Sequence, residues 1–176
     1  RRGHRVTLFE KADEVGGQFN LAMTIPGKAE FSASIAYFRG ELERSGVELK
    51  LSTEVAADDL GGFDEVVLAT GVYPREVTFP GADHAKVVSY LDVLNNEVEI
   101  GGRVALVGAG GIGFDVAEYL AHGHDQVDAS QSSEAFAREW GIDRSLQARG
   151  GVNGVDAQTS ESPREIWLLQ RKAGRP

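Results

Sequence analysis

The run VALVGAGGIGFDVAEYL, Val104–Leu120, restricts the fold of this chain more than any other stretch. Val104 to Val107 read as a strand. Gly108, Gly110 and Gly113 then form a G-x-G-x-x-G, and Ile112, Val116, Tyr119 and Leu120 recur at helical spacing on one side of the segment that follows. A glycine triplet between a strand and a helix is the context that a dinucleotide-binding loop requires. Gly108 permits the tight turn, Gly110 lets a pyrophosphate approach the backbone, and Gly113 allows close helix packing. The free N–H groups and the positive dipole end of the helix then favour the phosphates. A purely structural glycine turn is the plainer alternative.

The partner of such a loop is normally an acid at the end of the next strand, where it bonds the ribose 2′-hydroxyl. Here that strand is Ile166–Leu169, and Gln170, Arg171 and Lys172 follow it. An acid would repel a 2′-phosphate, whereas an arginine can grip one with two parallel bonds. The sequence therefore points to NADP(H) rather than NAD(H), a solvated basic strand end being the bland reading. The opening stretch RVTLFEKADEVGGQ, Arg5–Gln18, shows the opposite charge. A β pattern through Phe9 ends on Glu10, which suits a ribose with a free 2′-hydroxyl, as in FAD or NAD. Gly16, Gly17 and Gln18 could bring backbone N–H groups near a ligand, or they form an ordinary polar turn.

Elsewhere the pattern is α/β. Phe31, Ile35, Phe38 and Leu42 recur every three to four residues and Gly46 follows, which predicts an amphipathic helix with a glycine stop. Val47, Leu49 and Leu51 alternate as in a half-buried strand. Val66–Ala69 form a continuous apolar run, as expected of a central parallel strand covered on both faces. VVSYLDVL fits a short helix or a strand equally. Residues 123–163, rich in Gly, Ser, Asp and Gln, read as a loop-rich insertion in which only SEAFAREWGI is helical, with Phe136, Trp140 and Ile142 as anchors. Trp140 and Trp167 are expected to pack rather than to touch a cofactor. Asp115 either stabilises the first turn of the glycine-loop helix or approaches a nicotinamide.

Composition removes several functions. With 18 Lys and Arg against 27 Asp and Glu, the net charge is −9, unsuited to a nucleic-acid backbone. The absence of cysteine excludes disulfides, thiolate metal sites and cluster ligation by these residues. The four histidines (His4, His84, His122 and His124) are scattered, and no metal site or catalytic nucleophile–base pair is discernible. No apolar run approaches the roughly 18 residues of a membrane span. The chain opens RRGHRV, without a starting Met or a signal-like region, and is expected to be a cytoplasmic fragment of a longer polypeptide.

The segments VTLFEKADEVGGQFNLAMTIPGKAEF, VVLATG, SYLDVL, VALVGAGGIGFDVAEYL, EWGID and LLQRKAGRP occur in this order. Together they closely resemble the 2,4-dienoyl-CoA reductases of the bacterial iron–sulfur flavoprotein type, in the NADH:flavin oxidoreductase (old yellow enzyme-like) group. The resemblance implies a C-terminal region that binds FAD and NADPH, separate from a barrel that carries FMN and an iron–sulfur cluster and reduces an acyl-CoA substrate. It implies that hydride passes from NADPH to FAD and that electrons reach FMN through the cluster. It places Glu10 and Lys11 at the FAD ribose, Gly17 and Gln18 at its pyrophosphate side and Val55 near its adenine. Ala69, Thr70 and Gly71 fall at the turn where the two domains meet. Gly108, Gly110, Gly111, Ile112 and Gly113 fall at the NADPH phosphates, and Arg171 and Lys172 at the 2′-phosphate.

The expected fold is thus α/β: parts of two Rossmann-like FAD/NAD(P)-binding domains with parallel sheets, both truncated, over 1–100 and 101–176. Apolar edges left open by truncation would favour self-association. Two alternatives stand beside the dienoyl-CoA reductase: an amine or enone flavoprotein of the same group, and a non-catalytic NADP(H)-binding module.

Overall fold

The computed structural model describes residues 2–123 and 128–174. The chain divides into two compact units: Arg1–Ala22 with Glu30–Val87, and Met23–Ala29 with Val88–Pro176.

In the first unit, strand β1 (Thr7–Phe9) leads through the Gly16–Gly17 turn into a short helix α1 (Gln18–Ala22), then α2 (Phe31–Arg44) and β2 (Glu48–Lys50). β1 and β2 pair in parallel, with Leu8 opposite Leu49. Helix α2 ends as its sequence implies. Gly46 adopts φ +66°; its N–H bonds Glu43 O and the next N–H, of Val47, bonds Leu42 O. That pair of bonds satisfies carbonyls the helix end would otherwise leave open, and glycine takes the left-handed φ without a Cβ penalty. Phe19 and Phe31 meet edge to face at 4.9 Å between ring centroids and join α1 to α2.

The Val66–Ala69 run is not a central strand. It forms no ladder among the described residues, and Val67 is 88% exposed. A parallel strand needs a hydrogen-bonded neighbour and a layer on each face. Among the described residues of this unit the only sheet is β1–β2, so apolar composition alone does not make the strand.

The second unit holds α3 (Tyr90–Leu94), β3 (Arg103–Val107), α4 (Gly111–Ala121), α5 (Ser133–Glu139) and β4 (Glu165–Leu169). The ambiguous SYLDVL is a helix because Ser89 caps it. Its hydroxyl accepts from Asp92 N at 3.1 Å, and the Asp92 carboxylate accepts from Ser89 N at 3.2 Å. This reciprocal pair satisfies the first helical N–H groups. β3 and β4 pair in parallel from Arg103 with Glu165 to Val107 with Leu169. Alternation along both strands decides which side chains pack: Ile166 and Leu168 turn inward, and Trp167 faces out.

Phe136, Trp140 and Ile142 are likewise exposed, contrary to their expected role as anchors, and Trp140 is the most exposed of the three. It stacks on Phe136, four residues earlier, at 5.7 Å, while Ala137 supplies the buried face of α5. Met23–Ala29 completes this unit's core. Ile25 is 2% exposed, matching Val116 at 2% and Leu120 at 3%. No described helix is long and apolar enough to cross a membrane.

Candidate functional site

The glycine loop has the geometry that its spacing predicts. Gly108 takes φ +126°, a conformation open to glycine but rare for other residues. Its N–H donates to Leu169 O at 2.9 Å, so the loop starts tied to the end of β4. A Cβ at Gly110 would meet no atom within 4 Å, leaving the backbone open to a ligand. A Cβ at Gly113 would stand 2.0 Å from Gly108 O, so this glycine closes the turn on itself. The first helical bond runs from Phe114 N–H to Gly110 O at 3.0 Å. The N–H groups of Gly111, Ile112 and Gly113 precede it and have no acceptor within the helix. Ile112 is exposed beside them. The loop therefore presents backbone donors at a helix start without side chains in front, which fits a pyrophosphate.

The parallel register brings β3 and β4 to the same edge, so Gln170, Arg171 and Lys172 leave the sheet next to Gly108. All three are exposed. Gln170 Nε2 donates to Gly174 O and closes a turn around the two cations. No acid occupies this strand end, and Arg171 with Lys172 suits a 2′-phosphate.

Asp115 lies in the second turn of α4, because the helix starts inside the glycine loop at Gly111. Its carboxylate does not cap the helix. It accepts from Lys28 Nζ at 2.6 Å across 87 residues. Lys28 rides on Met23–Ala29, where Gly27 N–H also donates to Asp128 Oδ2 at 3.2 Å. Sequence reasoning missed Lys28: nothing local marks a lysine after Pro26–Gly27 as a partner of a helix so far along the chain.

In the first unit the strand-end acid has a different neighbourhood. Glu10 N–H donates to Lys50 O at 2.9 Å, extending the ladder by one step. The Glu10 carboxylate accepts from Ala12 N at 2.9 Å, which shapes the turn after β1. Thr53 N–H donates to Glu10 O at 2.9 Å and brings the half-buried Val55 to this edge. Lys11 Nζ lies 3.5 Å from the Tyr73 hydroxyl and 3.7 Å from Glu54 Oε1. The Tyr73 hydroxyl, and after it the Glu54 carboxylate, raise the Lys11 pKa above its ordinary value. Gln18 Nε2 donates to Val72 O at 3.0 Å. That bond draws Gly17 and Gln18 to the exposed turn of Ala69, Thr70 and Gly71, where Gly71 takes φ +71°. These bonds tie Glu10 to Lys50 and Thr53 at the C-terminal edge of β1 and β2, and tie Lys11 and Gln18 to the Val72–Tyr73 segment that follows Ala69, Thr70 and Gly71.

Among the described residues no group of three or more His, Asp or Glu could hold a metal. His122 accompanies the end of α4 through Glu118 O; His124 lies outside the described residues.

The family described as pyridine nucleotide-disulphide oxidoreductase matches residues 1–167. A cinnamate reductase from Clostridium sporogenes is 38% identical over 121 residues, 68% of this chain and 18% of that protein. An N,N-dimethylglycine/sarcosine dehydrogenase from Chromohalobacter salexigens is 39% identical over 131 residues, again 68% of this chain and 19% of the relative. The structure of a 2-naphthoyl-CoA reductase in complex with 2-naphthoyl-CoA superposes with a TM-score of 0.64 and 26% identity. The match covers 96% of this chain and 30% of that one. The chain therefore spans about a fifth of the length of its sequence relatives.

Proposed function

This chain belongs to the pyridine nucleotide-disulphide oxidoreductase family, and from that premise we propose that it is the FAD- and NADPH-binding segment of a reductase for unsaturated acyl-CoA thioesters, most specifically an NADPH-dependent 2,4-dienoyl-CoA reductase. The observation that carries the reading is the pairing of an open glycine loop with a basic, acid-free strand end one ladder step away. Gly108, Gly110, Gly111, Ile112 and Gly113 hold the NADPH pyrophosphate through backbone N–H groups, and Arg171 and Lys172 hold the 2′-phosphate. Glu10 and Lys11 take the ribose of FAD, Gly17 and Gln18 its pyrophosphate side, and Val55 its adenine, with Ala69, Thr70 and Gly71 beside them.

When bound, the nicotinamide and flavin cofactors would supply the redox chemistry as hydride donor and hydride acceptor. The chain's residues bind and orient them. The iron–sulfur cluster of such a reductase falls to the remainder of the parent polypeptide, since this chain has no cysteine to ligate it, and the FMN goes with the barrel that the resemblance implies. The structural neighbour with a CoA thioester bound supports the substrate class.

The test uses the full-length parent. Flavin and iron are quantified, and anaerobic NADPH-dependent loss of dienoyl absorbance is followed with a 2,4-dienoyl-CoA. Turnover of that substrate, with none by residues 1–176 alone, is the expected result. The similarity to an amine dehydrogenase supports a second reading, an N-methylamine flavoprotein; flavin reduction by N,N-dimethylglycine, with no dienoyl-CoA turnover, selects it. A parent holding no flavin that NADPH reduces is instead a binding module.

A further inference from the structure

Gln170 stands where a nucleotide-binding strand normally ends in an acid, and its side chain acts on its own backbone. Its amide N–H donates to the carbonyl of Gly174, four residues on. The bond closes a turn that contains Arg171, Lys172 and Ala173. An amide offers both a donor and an acceptor, whereas an ionised glutamate offers acceptors only and could not make this bond. The turn is anchored on both sides: by the Gln170 bond, and by Gly108 N–H to Leu169 O where β4 ends.

We propose that Gln170 is a positioning residue that sets NADPH over NADH selectivity by holding Arg171 and Lys172 in this turn; the proposal rests on the NADP(H) reading of the site. Both cations are exposed and attached to long, rotamer-rich side chains. Holding their backbone before the ligand arrives removes part of the ordering that binding would otherwise require. A ligand without a 2′-phosphate does not use the turn and is indifferent to it. Gln170 therefore does two things at once: it withholds the charge that would repel the phosphate, and it fixes the residues that attract it.

Steady-state kinetics of the full-length parent test this, with inhibition by 2′,5′-ADP and by 5′-AMP as a second readout. Gln170→Met keeps the length of the side chain and removes the donor. It should raise KM for NADPH and Ki for 2′,5′-ADP about three- to tenfold, the range for one neutral hydrogen bond. Values of kcat, KM for NADH and Ki for 5′-AMP should stay within about twofold. Gln170→Ser, too short to reach Gly174 O, should behave alike and serves if the methionine variant does not fold. Gln170→Glu should act more strongly, since it removes the donor and adds a charge. In an Arg171→Ala, Lys172→Ala background Gln170→Met should have no further effect on Ki for 2′,5′-ADP. An unchanged Ki in the single variant, an equal loss for both nucleotides, or a full further loss in that background overturns the proposal. Arg171→Ala separates the two failures. If it loses NADPH selectively while Gln170→Met does not, the turn is wrong and the NADP(H) reading stands; if it loses both nucleotides equally, the NADP(H) reading itself fails.

Discussion

The two units are built on one plan and differ in what lies beneath the strand ends. Each has a parallel pair of short strands whose C-terminal edge carries the candidate residues, with helices in the connections. Yet among the described residues every member of the apolar core belongs to the second unit: Ile25, Val93, Leu94, Val116, Leu120 and Ala137. The first unit buries none of its described side chains to that degree. Its helix α2 stays half-exposed and the Val66–Leu68 run faces solvent. Apolar burial is the main favourable term in folding. The glycine loop and the basic turn thus stand on a packed base, whereas the acidic strand end of Glu10 is kept in shape mainly by polar contacts at the surface.

The sharpest way to break this comparison is Ile25→Ala. The side chain is fully buried, and its removal should destabilise the second unit by about 2–5 kcal/mol, measured by denaturant melting. Leu8→Ala in the first unit, where the side chain is only half-buried, should give a smaller loss; equal losses would end the contrast. Next comes Arg171→Ala in the parent. Loss of charge-assisted bonds of about 1.5–3 kcal/mol should raise KM for NADPH roughly ten- to a hundredfold and leave NADH nearly unchanged.

Gly113→Ala should cost about 1–3 kcal/mol through the clash with Gly108 O. Gly110→Ala should spare stability and weaken nucleotide binding, because its Cβ meets no protein atom. Thermal melts beside NADPH titrations separate the two. Lys28→Met should matter less, about 1 kcal/mol at most, since side chains about a third exposed are screened by solvent.

The smallest effect concerns Asp143 in the insertion. Its carboxylate accepts from the backbone N–H groups of Ser145, Gln147 and Ala148 and from the Ser145 hydroxyl. The Ser145 hydroxyl, then the Ala148 N–H, lower its pKa to about 2. The unfolded chain binds this proton more readily. The contribution is therefore complete above the ordinary aspartate pKa of about 3.9 and disappears as pH falls through about 2. Asp143→Asn should flatten that portion of the acid-unfolding curve, read by near-UV circular dichroism.

Much of the second unit was legible from local pattern. A glycine triplet after β3, the apolar spacing of α4 and the alternation in β4 act within a few residues, so sequence carries them directly. The α2 stop was legible for the same reason. The failures share a cause of the opposite kind. Val66–Ala69 has the composition of an inner strand, but a strand is made by its neighbours. Trp140 and Trp167 have the size of core residues, but the direction each faces is set by its place at the end of α5 and by the register of β4. Lys28 with Asp115, and Ile25 in the core of a unit that otherwise begins at Val88, depend on chain segments that only the folded structure brings together. The Gln170 turn lies in between: the sequence shows the missing acid at this strand end, and only the folded backbone brings the Gln170 amide to Gly174 O.

The bond from Gly108 N–H to Leu169 O has a consequence for how a nucleotide is measured. It joins the first residue of the phosphate loop to the last residue of the strand that carries Gln170. On the proposed reading, the two ends of an adenosine diphosphate portion meet a phosphate loop and a strand end that this one bond ties together, as the two arms of a caliper share one screw. On the same reading, a change of cofactor preference comes most directly from substitutions at 170–172, which lie beyond this bond and leave it intact.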